Sequence, residues 1–187
     1  MRCLAALWLT VLLGGSSAAL ASDAQPPPSP KAVEAIQLLD AAELYDRQMG
    51  FLRLEALREP ATLDVVKRYL DDRMPEVRAY SLRAIAAIEG VGSIPLMLER
   101  LRRDPEPVVR RAALLGLEPL QTQHPEILPA FIAALKDRST EVRITAVDIV
   151  HRIDDPRARE AIASRHQRER RKDVRRLLWH YRQDQAK

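Results

Sequence analysis

Two stretches of the sequence decide the fold, Asp72-Arg73-Met74-Pro75-Glu76-Val77-Arg78 and Asp137-Arg138-Ser139-Thr140-Glu141-Val142-Arg143. Both are copies of one pattern, in which a valine precedes an arginine and an acid lies six positions before that arginine. Four copies occur at nearly constant spacing. Their acids and arginines are Asp72 and Arg78, Asp104 and Arg110, Asp137 and Arg143, and Glu169 and Arg175. Four copies in register indicate a repeat protein.

The residues around each arginine predict that a repeat consists of two helices. Apolar positions recur at helical spacing, no segment alternates convincingly with a period of two, and prolines occupy first-turn positions. The second helices are predicted at 75–89, 105–117, 140–153 and 169–183, and the first helices near 62–71, 94–102, 125–136 and 156–165. Two earlier helices are predicted near 31–45 and 47–58.

The segment Arg53-Leu54-Glu55-Ala56-Leu57 aligns with Ser81-Leu82-Arg83-Ala84-Ile85, although the interval is shorter than that between the other copies. This alignment indicates a degenerate first repeat, as expected for the end of a repeat array. At the other end, Trp179 occupies a position that is aliphatic in the other copies, and it is expected to fill the last part of the core.

The pattern resembles the HEAT repeat, particularly the short-period class shared with phycobilisome-lyase-type proteins, over about residues 47–183. The resemblance implies an all-α fold, a right-handed α-solenoid of four to five stacked helix pairs. It also implies that the acids and arginines form a ladder of contacts between neighbouring repeats, made by Asp72, Arg78, Asp104, Arg110, Asp137, Arg143, Glu169 and Arg175. Glu169 departs from the pattern by one methylene. Replacing Asp104 or Arg110 by alanine is expected to lower stability by about 1–3 kcal/mol.

The N-terminal segment 1–21 has the features of a secretory signal peptide. Arg2 is followed by an apolar run over 4–13, and Ala19-Leu20-Ala21 places small residues at a cleavage site after Ala21. The run is too short to span a bilayer, so no transmembrane anchor is expected after cleavage. A Pro-rich linker is then predicted over 22–30 and a repeat domain over 31–187, in a periplasmic or secreted protein whose only cysteine, Cys3, is removed.

Enzyme motifs are missing from the sequence. It contains no Gly-x-Ser-x-Gly, phosphate-binding loop or dinucleotide fingerprint, and no two of its four histidines are spaced by four positions. We therefore predict no catalytic residue, cofactor or metal ligand, and no enzyme activity. The resemblance to lyase-type repeats leaves one alternative, a tetrapyrrole-handling or enzyme-associated protein.

Helical periodicity predicts a partner-binding row on the second helices, one and five positions after each repeat arginine. The row comprises Ala79, Arg83, Arg111, Leu115, Ile144, Asp148, Arg176 and His180. An ordinary solvated face is the alternative interpretation.

Charge is concentrated at the C-terminal end. Residues 157–187 contain 11 basic and four acidic residues, a net charge of +7, although the whole chain carries only +4. Its candidate basic patch is Arg165, Arg168, Arg170, Arg171 and Lys172. This end is predicted either to dock an acidic protein or an anionic envelope surface, or to be a polar cap that keeps the array soluble.

These features predict a monomeric, non-catalytic scaffold of the bacterial cell envelope that binds an unidentified protein partner. The partner contacts the second-helix face, the basic C-terminal end, or both. Nucleic acid is not an expected partner, because export separates the protein from it. Binding to anionic envelope components is a further alternative.

Overall fold

The structure of the protein is a computed structural model, and it describes residues 26–184. The predicted signal peptide and most of the linker lie outside the described residues. Within the described part, the chain is helical and contains no strand. Ten α-helices form it: α1 (Pro30–Gln37), α2 (Leu44–Leu57), α3 (Leu63–Lys67), α4 (Pro75–Glu89), α5 (Ile94–Arg103), α6 (Pro107–Leu117), α7 (Leu128–Ala134), α8 (Thr140–His151), α9 (Pro156–Arg168) and α10 (Lys172–Asp184).

The ten helices make five consecutive pairs, so the predicted all-α solenoid is confirmed. The second helix of each pair packs on the second helix of the next, in the order α2, α4, α6, α8, α10. Each first helix packs mainly against its own second helix and much less against neighbouring first helices. One continuous apolar core results, because no single pair could cover its own apolar face.

The helix starts explain where the predicted boundaries were slightly wrong. Prolines open α4 and α6 at the first helical position, where a missing N–H costs nothing. However, α6 begins at Pro107 rather than at 105, and α10 begins at Lys172 rather than at 169. In both cases the acid three positions earlier accepts a hydrogen bond from the backbone N–H two positions after it, which forms a turn before the helix.

The segment Pro75–Arg103 is long and apolar enough to cross a membrane by length and composition alone. The chain, however, turns at Gly90, whose φ of 57° ends α4, and α5 continues beyond a short 3-10 helix. The residues of α4 buried between α2 and α6 include Leu82 and Ile85. Core packing therefore accounts for this hydropathy.

The prediction that Trp179 fills the core was wrong. Its side chain is 47% exposed, whereas Leu178 is completely buried. In the inner repeats the residues equivalent to Trp179, which are Leu82, Leu114 and Val147, are completely buried. Among the described residues no helix follows α10, so Trp179 faces the open end of the array.

Candidate functional site

The acid–arginine ladder runs along the loops that precede the second helices. Arg110 is 3% exposed and donates from Nε and an Nη to the two carboxylate oxygens of Asp137, at 2.8 and 2.7 Å. Its other Nη donates to the backbone oxygen of Asp104, at 3.0 Å. The guanidinium therefore stabilises the turn of its own repeat by a hydrogen bond and binds the acid of the next repeat through a bidentate ion pair.

The same arrangement recurs on both sides of Arg110. Arg78 contacts Asp104 at 3.1 Å, and Arg143 contacts Glu169 at 3.0 Å. Each pair joins two repeats across 26 residues of sequence, against 27 for Arg110 and Asp137. The ladder is thus a series of links between adjacent repeats only.

Glu169 makes the arginine contact despite its extra methylene, and Arg165 adds a second contact at 2.6 Å. Burial favours the neutral carboxyl, but hydrogen bonds from the Arg171 amide, Arg165 and Arg143 outweigh burial and lower the pKa of Glu169 to about 2. The pKa of Asp137 is likewise lowered, since the hydrogen bonds from Arg110 and a backbone amide outweigh its burial.

The first repeat has its own ladder arginine, which the sequence analysis missed. Arg47 contacts Asp72 at 2.7 Å and, like Arg78, is the fourth residue of its second helix. The signal was hidden because Asp46, rather than valine, precedes Arg47. The first repeat therefore belongs to the ladder.

This contact corrects the register of the first repeat. Arg47 aligns with Arg78, so the alignment of Arg53 with Ser81 was wrong by nearly one helical turn. In the corrected register Gly50 takes the place of the small residue Ser81. The interval from the first repeat to the second is then close to that between the later repeats.

The ladder ends differently at its two ends. Six positions before Arg47, where every later repeat has an acid, the first repeat has Ala41. In the last repeat, Arg175 is exposed, and its side chain makes no hydrogen bond or ion pair to any described residue. Among the described residues, therefore, the last arginine of the ladder has no carboxylate opposite it.

The predicted partner-binding row is largely tied up by contacts between second helices. Arg83 contacts Glu55 at 2.9 Å, and Asp148 accepts a hydrogen bond from the Tyr181 hydroxyl at 2.8 Å. Arg111 contacts Glu141 and Thr145 on the next second helix. Ile144 is half-buried against the core, and Ala79 is only 4% exposed. The prediction that Ala79 points away from the core was wrong.

Leu115 remains exposed on this face, at 42%. It lines a groove of about 410 Å³ between the C-terminal ends of α2, α4 and α6. The floor includes Gly116, where a Cβ would lie 3.0 Å from the Ala86 Cβ, and the rim carries Arg58 and Arg83. The lining also includes Glu55, which pairs with Arg83, so the groove combines apolar surface with one cation, Arg58, that has no ion pair to a described residue.

The basic end divides into paired and unpaired cations. Arg165 and Arg171, two members of the candidate basic patch, form ion pairs with Glu169 and Asp173. The exposed cations without an ion pair to a described residue are Arg168, Arg170, Lys172, Arg175 and Arg176. Of these, the last three line a cleft of about 340 Å³ together with His166 and Trp179, and the remaining row member His180 lies edge-on to Trp179.

Within residues 26–184 the structure brings together no group of three or more residues able to hold a metal ion. His124 contacts Glu126 at 2.9 Å, and His151 stacks on Tyr181 with ring centroids 3.8 Å apart. Both histidines thus have structural neighbours at helix ends.

Stacked helix pairs linked by a buried acid–arginine ladder define a class, the helical repeat solenoids. The family model for HEAT repeats matches residues 32–118 and 94–179. The chain belongs to the HEAT repeat family, which confirms the resemblance found in the sequence. None of the curated proteins matches it.

Two solved structures share the fold. One is the complex of CpcE and CpcF of phycocyanin lyase from Nostoc sp. PCC7120, with a TM-score of 0.62 and 22% identity over 80% of this chain and 96% of that chain. The other is a designed armadillo repeat protein, with a TM-score of 0.50 and 16% identity over 80% of this chain and 79% of that chain.

Proposed function

We propose that this chain is a non-catalytic protein-interaction scaffold of the bacterial cell envelope. The observation that carries the proposal is the groove at Leu115. It is an open recess on the continuous layer of second helices, with an apolar floor and a rim bearing Arg58 and the Arg83–Glu55 pair. Apolar surface that remains exposed beside the Arg58 guanidinium suits a protein partner with an aliphatic side chain and a nearby acid.

The predicted signal peptide supports the envelope location in this proposal. The segment 1–21 has the order of charge, apolar run and small residues that a signal peptide requires. The mature protein would then be periplasmic or secreted, and it would meet its partner there.

Proximity labelling or pull-down from the exporting organism tests the scaffold function. Leu115→Asp should reduce capture of the partner by at least about fivefold, since losing one apolar anchor commonly costs over about 1 kcal/mol of binding energy. Val91→Asp is the matched control, because Val91 is also exposed, at 51%, but does not line the groove. Equal capture by both variants would contradict a role for the groove.

Tetrapyrrole handling is the second candidate, favoured by the structural likeness to the phycocyanin lyase complex. Purified protein carrying a bound coloured ligand, lost in the Leu115→Asp variant but not in the Val91→Asp variant, would replace the scaffold proposal. An absorption spectrum taken after purification from the exporting organism makes this measurement.

A further inference from the structure

At the C-terminal end of the ladder, Arg175 has no carboxylate opposite it among the described residues, and it lacks the hydrogen bond to the turn of its own repeat that the inner arginines make. Arg78, Arg110 and Arg143 each bind the acid of the following repeat, and each is the fourth residue of its second helix. Arg175 is the fourth residue of α10, and no described residue supplies its acid.

The surroundings of Arg175 favour an acidic occupant. Lys172 and Arg176 line the same cleft, without an ion pair to any described residue, and Trp179 adds a half-exposed apolar wall. Three cations beside one indole ring complement a segment that carries carboxylates and one apolar side chain. An arginine fork favours paired carboxylate oxygens over a diffuse negative surface.

We propose that Arg175, Lys172 and Arg176 bind a partner protein end-on, through an acidic turn at the start of one of its helices. This proposal rests on the proposed scaffold function and names the chemistry of a second contact. The inner acids show the form of such a turn: a carboxylate that also accepts a hydrogen bond from the amide two positions later.

A second copy of this chain is a poorer occupant. The corresponding turn of its first repeat has Ala41 where the later repeats have an acid. Head-to-tail stacking would therefore bring Arg175 opposite a methyl group rather than a carboxylate.

Fluorescence anisotropy with a model turn tests the site. The probe is a C-terminally labelled, N-acetylated peptide of residues 137–151, whose Asp137 carboxylate meets Arg110 inside the array. We expect the protein to bind it, and Arg175→Glu to weaken binding about tenfold or more, as loss of a charge-assisted contact predicts. Substituting Asp137→Asn in the peptide should have a similar effect. Arg170→Glu, with the same charge change outside the cleft, should change binding less than about twofold.

Several outcomes would overturn the site. The site would be contradicted if the protein did not bind the peptide, or if Arg175→Glu and Arg170→Glu weakened binding equally. It would also be contradicted if the Asp137→Asn change in the peptide left its affinity unchanged. Arg175-dependent binding to phosphatidylglycerol vesicles without peptide binding would assign the end to a membrane surface, and Arg175-dependent self-association in sedimentation would assign it to a second copy. If partner capture depends on Leu115 but not on Arg175, the scaffold function stands and the end-on site fails.

Discussion

The first and last repeats of this solenoid are both ends of one ladder, yet they end it in different ways. The first repeat keeps its arginine, which Asp72 binds, and lacks the acid, since Ala41 occupies that position. The last repeat keeps both, but its arginine, Arg175, has no acid beyond it among the described residues. An end without the acid leaves no charge unsatisfied, whereas an end with a spare arginine presents a cation to solvent or to a partner.

The two ends also differ in how their side chains are packed, since the first repeat is tied down by hydrogen bonds and the last repeat is more exposed. At the N-terminal end of the array, Ser29 caps α1 and donates hydrogen bonds to Glu59 from its amide and hydroxyl, which ties the start of α1 to the loop after α2. At the C-terminal end, Trp179 lies half-exposed beside unpaired cations. The first repeat therefore closes the N-terminal end of the array as a cap, whereas the last repeat leaves cations and an apolar side chain exposed.

The largest expected effect separates inner from terminal arginines. Arg110→Ala leaves Asp137 without its guanidinium in a partly buried site and should lower the free energy of unfolding by about 3 kcal/mol. Arg175→Ala, the same change at the open end, should cost less than about 0.5 kcal/mol. Denaturant titration of both variants makes the measurement. Equal shifts in midpoint would remove the distinction between the two positions.

A second, smaller effect is the pH dependence of stability, which tests the link between Arg143 and Glu169. The pKa of Glu169 in the folded protein is about 2, below its ordinary 4.5, so its contribution is fully present above pH 4.5 and is lost as pH falls towards 2. Glu169→Gln should therefore lower stability by about 2 kcal/mol at pH 7 and make the decline between pH 5 and 2, measured by thermal unfolding at each pH, shallower.

Glu160→Gln is the matched control for this experiment, since Glu160 is exposed on α9 and makes no ion pair to a described residue. Its stability should follow the wild-type curve throughout. If the Glu169→Gln curve stays parallel to that of the wild type from pH 5 to 2, then Glu169 does not link folding to protonation.

The smallest effect concerns the cap. A Cβ at Gly50 would lie 2.8 Å from the Ala35 carbonyl oxygen and 2.9 Å from a Leu39 methyl, so Gly50→Ala should force α1 away from α2. We expect a net loss of about 1 kcal/mol, because overpacking exceeds the gain in helix propensity. Gly92→Ala, whose Cβ would meet only the flexible Glu89 side chain, should be near neutral. A stabilised Gly50→Ala variant in thermal unfolding would mean that the cap is loosely packed.

The sequence predicted the parts of the fold that depend on neighbouring residues. The acid, the arginine and the helix starts recur within each repeat, so their spacing predicted the helix pairs, and the resemblance to HEAT repeats implied the ladder. Arg47 escaped notice because Asp46 breaks the valine–arginine pattern, although the helix register is preserved. A search for arginine alone at the repeat interval, without the valine, would have found it.

The site was harder to predict because its properties depend on which helix lies opposite. Periodicity placed Arg83 and Arg111 on the surface, but only the stacking of second helices brings Glu55 and Glu141 within reach of them. Trp179 has the sequence position of a core residue, and it is exposed because no described helix covers it. Periodicity within a helix does not indicate whether a neighbour exists.

The links across 25 to 27 residues between adjacent repeats also give the array a unit of length. Removing 78–109 from the gene would place Arg110 directly after Val77, and its acid Asp137 would still follow at the correct distance. Gene duplication or deletion of one whole repeat therefore leaves every remaining link with a partner. The repeat arginines are 31 to 33 residues apart, so the ladder tolerates differences of one or two residues, whereas loss of a larger part of a repeat would separate an acid from its arginine.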